Sequence, residues 1–118
     1  MSYNPLSKIA NEPLAITTET LRQLEILRAS KKFTDLPGTD TILEKERLSL
    51  TFNKLLDHLL DGVQSNPNKL WVMGQFQEAL EVVQGEDTED RECFGDYLEQ
   101  VLDILQIDSS DGLLSFYL

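Results

Sequence analysis

The sequence is poor in the side chains on which most catalytic and metal sites depend. It holds one cysteine, Cys93, and one histidine, His58, among 118 residues. One cysteine excludes a disulfide within the chain, and one histidine excludes zinc sites built on paired histidines. We expect Cys93 to be a buried, unreactive thiol and His58 to be solvated or salt-bridged, because they fall on the apolar and polar sides of predicted helices. We therefore predict no catalytic residue, no metal site and no cofactor, and expect that the protein is not an enzyme.

Long apolar runs are also absent. No apolar segment approaches the ~20 residues that a membrane-spanning helix needs. Residues 1–10 contain one lysine and the pair Asn4-Pro5 but no apolar stretch, so they do not resemble a signal peptide. These features predict a cytoplasmic protein that does not enter a membrane.

Basic residues are nearly missing from the last third of the chain. Residues 1–77 hold nine acids and nine bases, whereas residues 78–118 hold twelve acids and one base, so the net charge of −11 arises in the second segment. A negative potential of this kind repels nucleic acid and anionic membranes and attracts basic proteins or cations. We predict that the protein binds neither nucleic acid nor membrane and that any partner is basic.

Four segments carry the spacing of amphipathic helices, and none carries the alternation of a strand. The clearest one starts at a capping box, Thr41-Ile42-Leu43-Glu44, and runs to about Val63. Asn66-Pro67 predicts the next start, as an N-cap followed by proline at the first helical position, and Gly74 inside that helix is expected to permit close packing. The predicted helices span about residues 18–30, 42–63, 67–84 and 88–106.

These segments predict an all-α fold, a single domain over residues 1–118 built as an antiparallel bundle of about four helices. Residues 1–16, which include Pro5 and Pro13, predict an irregular lead-in whose apolar side chains dock on the body. Residues 113–118 form a short apolar tail. Docking into a groove of the bundle and exposure as a ligand for another protein are both open for this tail, and docking is favoured.

The stretch from Glu86 to Leu105 predicts one helix with two opposite faces. Its apolar residues share one broad side, which belongs in a core: Cys93, Phe94, Tyr97, Leu98, Val101, Leu102 and Leu105. On the opposite side lies an acidic row, which we define as Glu92, Asp96, Glu99 and Asp103. Like charges three and four residues apart cost about 0.2–0.5 kcal/mol per pair. The row is either a solvated face that keeps the protein soluble or a surface that binds a basic partner.

Ligands other than proteins have weaker signals. The acids Glu86, Asp87, Glu89 and Asp90 offer ligands to a divalent cation, but capping of a helix N-terminus explains them adequately. The segment Ile107–Gly112 does not fit an EF-hand, because Ile107 stands where the first oxygen ligand is required. A small molecule between the helices near Trp71, Phe76 and Tyr97 is a second possibility, although aromatics at helical spacing usually belong to a core.

Several short sequences resemble the C-terminal signature of a family of small bacterial helical proteins, domain of unknown function 4844. They are Asp87–Glu92, Tyr97–Glu99, Asp103–Leu105 and Ser109–Leu114, which together cover about the last third of the chain. The resemblance implies a bacterial source and a helical fold, and it carries no activity. It also implies structural roles for Arg91 and Asp111, with Arg91 paired either with acids of its own turn or with the turn at Asp111.

Two functional hypotheses follow. The first is an interaction protein of the immunity, antitoxin or inhibitor kind, in which the acidic row binds a basic partner protein. The second is a helical module that responds to a small molecule or a cation held between helices. A homodimer is also possible, because the short first helix is expected to leave part of an apolar face uncovered.

Overall fold

The computed structural model describes residues 4–34 and 42–118, and these residues form five α-helices preceded by one 3₁₀ turn. The described ranges contain no strand, only an isolated bridge between Pro13 and Asn68. The all-α class predicted from the sequence is therefore confirmed. The elements are the 3₁₀ turn at Pro5–Lys8, α1 at Thr18–Ala29, α2 at Ile42–Gly62, α3 at Lys69–Val83, α4 at Thr88–Leu105 and α5 at Leu113–Tyr117.

The core is formed where the apolar faces of α2, α3 and α4 meet. The buried side chains of α2 are spaced three and four apart, as the sequence predicted: Leu48, Phe52, Leu55, Leu56 and Leu59. Phe33, which follows α1, packs its ring against Phe52, Phe94 and Tyr97 with centroid distances of 6.3, 6.0 and 4.6 Å. This aromatic cluster joins the segment after α1 to both α2 and α4, because each element supplies at least one ring.

The start of α3 differs from the Asn66-Pro67 prediction, which was wrong. The helix begins at Lys69, and its N-cap is Asn68, whose side chain accepts a hydrogen bond from the Trp71 N–H at 2.9 Å. The Asn66 side chain instead donates to the Gly62 carbonyl at the end of α2, at 3.0 Å. Pro67 stays outside the helix because its carbonyl accepts the Leu14 N–H at 2.8 Å. The N-terminal segment thus competes for the backbone groups that would have started the helix earlier.

The lead-in is more ordered than the prediction of an irregular segment. Asn4 caps the 3₁₀ turn by accepting the Leu6 N–H at 3.0 Å, and Pro5 within the turn is buried. The Lys69 N–H donates to the Glu12 carbonyl at 2.9 Å, next to the Leu14–Pro67 bond. Thr41, the first residue of the predicted capping box, lies outside the described residues.

The apolar tail forms the short helix α5 and docks on the body, as the favoured alternative predicted. Leu113, Leu114 and Tyr117 are buried, and α5 packs against α3 and the 3₁₀ turn. The turn before α5 is left-handed at Asp111 and Gly112, with φ of 52° and 88°. Glycine adopts this conformation without the steric cost that a Cβ brings.

An ion pair fixes this turn. The Lys69 ammonium, in a side chain that is only 5% exposed, donates to the Asp111 carboxylate at 2.8 Å, and the same oxygen accepts the Ala10 N–H at 3.0 Å. Asp111 is therefore structural, as the resemblance implied. Arg91 does not pair with Asp111 or with an acid in the described part of the chain, and its guanidinium donates to the Thr88 hydroxyl at 3.2 Å instead.

Within residues 4–34 and 42–118, every helix is too short or too polar to cross a membrane.

Candidate functional site: the acidic face of α4

The acidic row lies on the solvent side of α4. Glu92, Asp96, Glu99 and Asp103 are all exposed, while Phe94, Leu98 and Val101 on the opposite side are fully buried. The sequence allows Asp87 or Thr88 as the cap of this helix, and Asp87 is the cap, with its side chain accepting the Asp90 N–H at 3.0 Å. The helix ends at Gln106 in a left-handed conformation with φ of 58°. The periodicity between these two ends places the four carboxylates in one line.

The four carboxylates of the row have neither an ion pair nor a hydrogen bond within the described ranges. The ion pairs found there use other acids: Arg22–Glu19, Arg28–Asp57, Arg47–Glu86 and Lys69–Asp111. The row consequently carries three like-charge pairs at i,i+3 or i,i+4, each unfavourable by about 0.2–0.5 kcal/mol. These carboxylates are thus available for a cation from outside the described residues.

A groove runs beside the row, between α4 and the end of α5. Its volume is about 440 Å³. The wall on α4 consists of three acids of the row and one glycine: Glu92, Asp96, Glu99 and Gly95. The wall on the tail consists of Leu114, Ser115 and Leu118. A Cβ at Gly95 would lie 2.6 Å from Leu118 Cδ1, so Leu118 rests directly on the bare backbone of α4. Glycine at this position allows the tail to approach the helix closely.

Sequence reasoning predicted the exposed acidic row on α4 but not the groove beside it. Gly95 interrupts α4 between Phe94 and Asp96, and this glycine in a helix interior was the available signal of a close approach. The partner in that approach, Leu118, is 23 residues further along the chain. No local spacing rule connects two such positions, so the groove required the tertiary structure.

The acids at the N-terminus of α4 have several separate roles. Asp87 is the N-cap, and Glu86 forms a bidentate pair with Arg47 at 2.7 and 3.0 Å. Carboxylate oxygens of Asp87, of the buried Asp90 and of Glu44 on α2 lie within 4.8 Å of one another. Burial, together with the carboxylates of Asp90 and Asp87, raises the pKa of Glu44. The sequence did not predict that α2 contributes an acid here, and capping and ion pairing explain the positions of Asp87 and Glu86.

The three aromatic residues proposed for a ligand site each have a separate structural role. Phe76 is fully buried in the core, and the Trp71 ring covers Gly62, where an added Cβ would lie 2.5 Å from the ring. The Tyr97 hydroxyl accepts the Phe33 N–H at 3.0 Å. These residues line neither the groove at α5 nor two further concavities, which are bordered by Leu50 and Asn53 on one side of α2 and by His58 on another.

Cys93 is half-buried rather than fully buried, and its environment disfavours the thiolate. Burial raises the pKa of the thiol, and the nearby carboxylates of Asp96 and Asp90 raise it further. A nucleophilic cysteine needs the opposite environment, with positive charge close to the sulfur. The position of Cys93 thus favours the unreactive thiol predicted from the sequence.

Comparison with known proteins identifies a family for this chain. A search of the curated proteins and a search of the solved structures gave no match. The model of one protein family matches residues 15–118, from the segment before α1 to the end of α5. The matched region includes the acidic row and every residue that lines the groove. The chain therefore belongs to the family described as "Domain of unknown function (DUF4844)".

Proposed function

We propose that this protein is an interaction module of the immunity, antitoxin or inhibitor type, and that its acidic row binds a basic partner protein. The observation that carries the proposal is the exposure of Glu92, Asp96, Glu99 and Asp103 in one line without a cationic partner in the described part of the chain. A partner that presents lysine or arginine to this line relieves the repulsion within the row and gains new ion pairs.

The distribution of charge supports binding over mere solubility. Solubility depends on net charge wherever it lies, whereas this chain concentrates its excess of acids in residues 78–118. Three arginines elsewhere are paired with acids of their own surroundings: Arg22, Arg28 and Arg47. A concentrated field of one sign accelerates encounter with a partner of the opposite sign and selects against partners of the same sign.

The proposal includes no catalytic step and keeps the cytoplasmic location predicted from the sequence. Its support on the first point is the chemistry of the two candidate groups. The pKa of the Cys93 thiol is raised, which disfavours a nucleophile, and His58 lies beside a cavity of only about 90 Å³. The alternative of a small molecule held near Trp71, Phe76 and Tyr97 is not proposed, because the three concavities described above do not include these residues.

The test is capture of partners from a lysate of the source organism by three tagged forms of the protein. The row variant carries Glu92→Lys, Asp96→Lys, Glu99→Lys and Asp103→Lys. A control variant carries Glu12→Lys, Glu25→Lys, Asp61→Lys and Glu81→Lys, which changes the net charge equally at four exposed acids outside the row.

We expect one basic protein to bind the natural chain and the control variant at low salt, to leave as salt is raised, and not to bind the row variant. Circular dichroism and melting curves of the three forms confirm that each is folded. A partner that the row variant binds as well as the natural chain would contradict the proposal, and so would the absence of any basic protein from all three captures.

A further inference from the structure

We infer that the partner presents a basic amphipathic α-helix, which lies along the acidic row and places an apolar side chain in the groove between α4 and α5. This inference rests on the proposed function, because it names the shape of the basic partner. Its observations are the spacing of the row and the composition of the groove wall.

The spacing of the row matches the repeat of a helix. The first and last acids are eleven positions apart on α4, a distance of about 16.5 Å at 1.5 Å per residue, so neighbouring carboxylates are on average about 5.5 Å apart along the axis. A second helix that carries cations at i, i+4, i+7 and i+11 has the same repeat and meets all four acids. In an extended strand, side chains on one face repeat every ~6.7 Å. If the first cation of a strand meets the first acid of the row, its fourth cation therefore lies about 3.5 Å beyond the fourth acid.

The groove supplies a second, apolar contact that a simple polycation does not use. Leu114 and Leu118 line it on the side of α5, and Glu92, Asp96 and Glu99 border it on the side of α4. Phe116, the neighbouring side chain on α5, is half exposed. One border is therefore anionic, and the other carries two leucines with Ser115 between them. This arrangement complements a helix with lysine or arginine on one side and leucine-like residues beside them.

The volume of the groove limits what enters it. About 440 Å³ accommodates a few apolar side chains but not a folded segment, so the body of the partner helix must stay above the surface and insert side chains. Docking of an apolar side chain here buries exposed surface of Leu118, which is half-buried, beside the acidic row. Contacts of two kinds on adjacent strips select a helix whose cationic and apolar residues form two neighbouring strips along its length.

The experiment compares two synthetic peptides of identical composition. The first places lysines at i, i+4, i+7 and i+11 with leucines on the neighbouring strip of the helix. The second has the same residues in a shuffled order, so that lysines and leucines are mixed on every side of the helix. We expect the helical peptide to bind at least ~10-fold more tightly than the shuffled one at 0.15 M salt and to gain helix content on binding, measured by calorimetry and circular dichroism.

A groove variant tests the apolar contact. Ser115 is exposed and lines the groove, so Ser115→Trp fills it from the rim, and Ser65→Trp places the same ring at an exposed turn far along the chain from the groove. We expect Ser115→Trp to weaken the helical peptide about 10-fold and the shuffled peptide hardly at all, with Ser65→Trp without effect on either. Methyl resonances of Leu114 and Leu118 in the natural protein should shift on addition of the helical peptide, which supports the groove even where the tryptophan variant folds poorly.

The outcomes separate this inference from the proposed function. Equal binding of both peptides, lost in the row variant, would retain the acidic row as a site for basic partners and overturn the helix and its groove. Binding of spermine as tight as that of the helical peptide would overturn the inference in the same way. Absence of binding by either peptide would overturn this inference, whereas the capture experiment decides the proposed function separately.

Discussion

The Lys69–Asp111 ion pair connects three parts of the chain. The substitution Asp111→Asn tests whether this pair stabilises the fold. The carboxylate accepts from the Lys69 ammonium at 2.8 Å and from the Ala10 N–H at 3.0 Å, so it joins α3, the turn before α5 and the lead-in. The Lys69 side chain is 5% exposed and that of Asp111 is 27% exposed. Loss of the negative charge leaves an ammonium buried without its counter-charge.

The expected loss follows from this exposure. Removal of one partner of a fully buried pair costs about 3–5 kcal/mol of unfolding free energy, whereas an exposed pair contributes about 0–1 kcal/mol. Because Asp111 is part exposed, we expect Asp111→Asn to lower the free energy of unfolding by about 2–3 kcal/mol. The double variant Lys69→Met, Asp111→Asn removes the stranded ammonium as well and should be more stable than Asp111→Asn alone.

Urea denaturation at several pH values is the assay. The hydrogen bonds from Lys69 and from the Ala10 N–H lower the pKa of Asp111 in the folded state. A lowered carboxyl pKa contributes stability that is complete above the unfolded value of about 3.9 and is lost as pH falls through the folded value. The gap between the natural protein and Asp111→Asn should consequently be constant near neutrality and shrink below about pH 4. A gap under about 0.5 kcal/mol at pH 7, or one that grows as pH falls, would refute the reasoning.

Four further substitutions test the packing and charge described above. Gly62→Ala should destabilise the fold by about 1–3 kcal/mol because the new Cβ meets the Trp71 ring, whereas Gly74→Ala, with open space around the Cβ, should stabilise it by up to about 1 kcal/mol; melting curves distinguish the two signs. Tyr97→Phe leaves the Phe33 N–H without its acceptor and should cost about 1–3 kcal/mol in urea denaturation, and an unchanged midpoint would contradict that role. Glu99→Gln removes repulsion with Asp96 and Asp103 and should stabilise the protein by roughly 0.5 kcal/mol at low salt; the gain should fade as salt rises, and a loss of stability would oppose this account of the row.

The parts of the fold that follow from local rules could be predicted from the sequence. Helix geometry within a few residues explains the apolar spacing of α2 and α4 and the outward position of Glu92 and Asp103. It also explains the cap at Asp87. The prediction of a cap at Asn66 failed because the backbone near Pro67 pairs with Glu12 and Leu14, more than fifty residues earlier in the chain. A capping rule considers only the next four residues, so it cannot take account of hydrogen bonds from a segment so distant in sequence.

The glycines show the same limit. Gly74 was expected to permit close packing because it stands inside α3, yet nothing approaches the place of its missing Cβ. The close approaches occur instead at Gly62, under the Trp71 ring, and at Gly95, under Leu118. From the sequence alone, a glycine in a helix therefore shows only that its position has no side chain. Whether another group of the protein fills the space of the missing Cβ is known only from the tertiary structure.

The two components of the proposed interface have different structural origins. The acidic row is a property of α4 alone, because helix periodicity places its four carboxylates in line however the rest of the chain is arranged. The groove exists only while α5 is docked, and its position depends on the left-handed turn at Asp111 and Gly112 and on the ion pair with the buried Lys69. In the proposed interface, the acids that attract a basic partner therefore have a local origin, and the groove that selects its shape has a tertiary one. For this reason charge reversal in the row should remove all binding, whereas changes at the groove should remove only the preference for a helix.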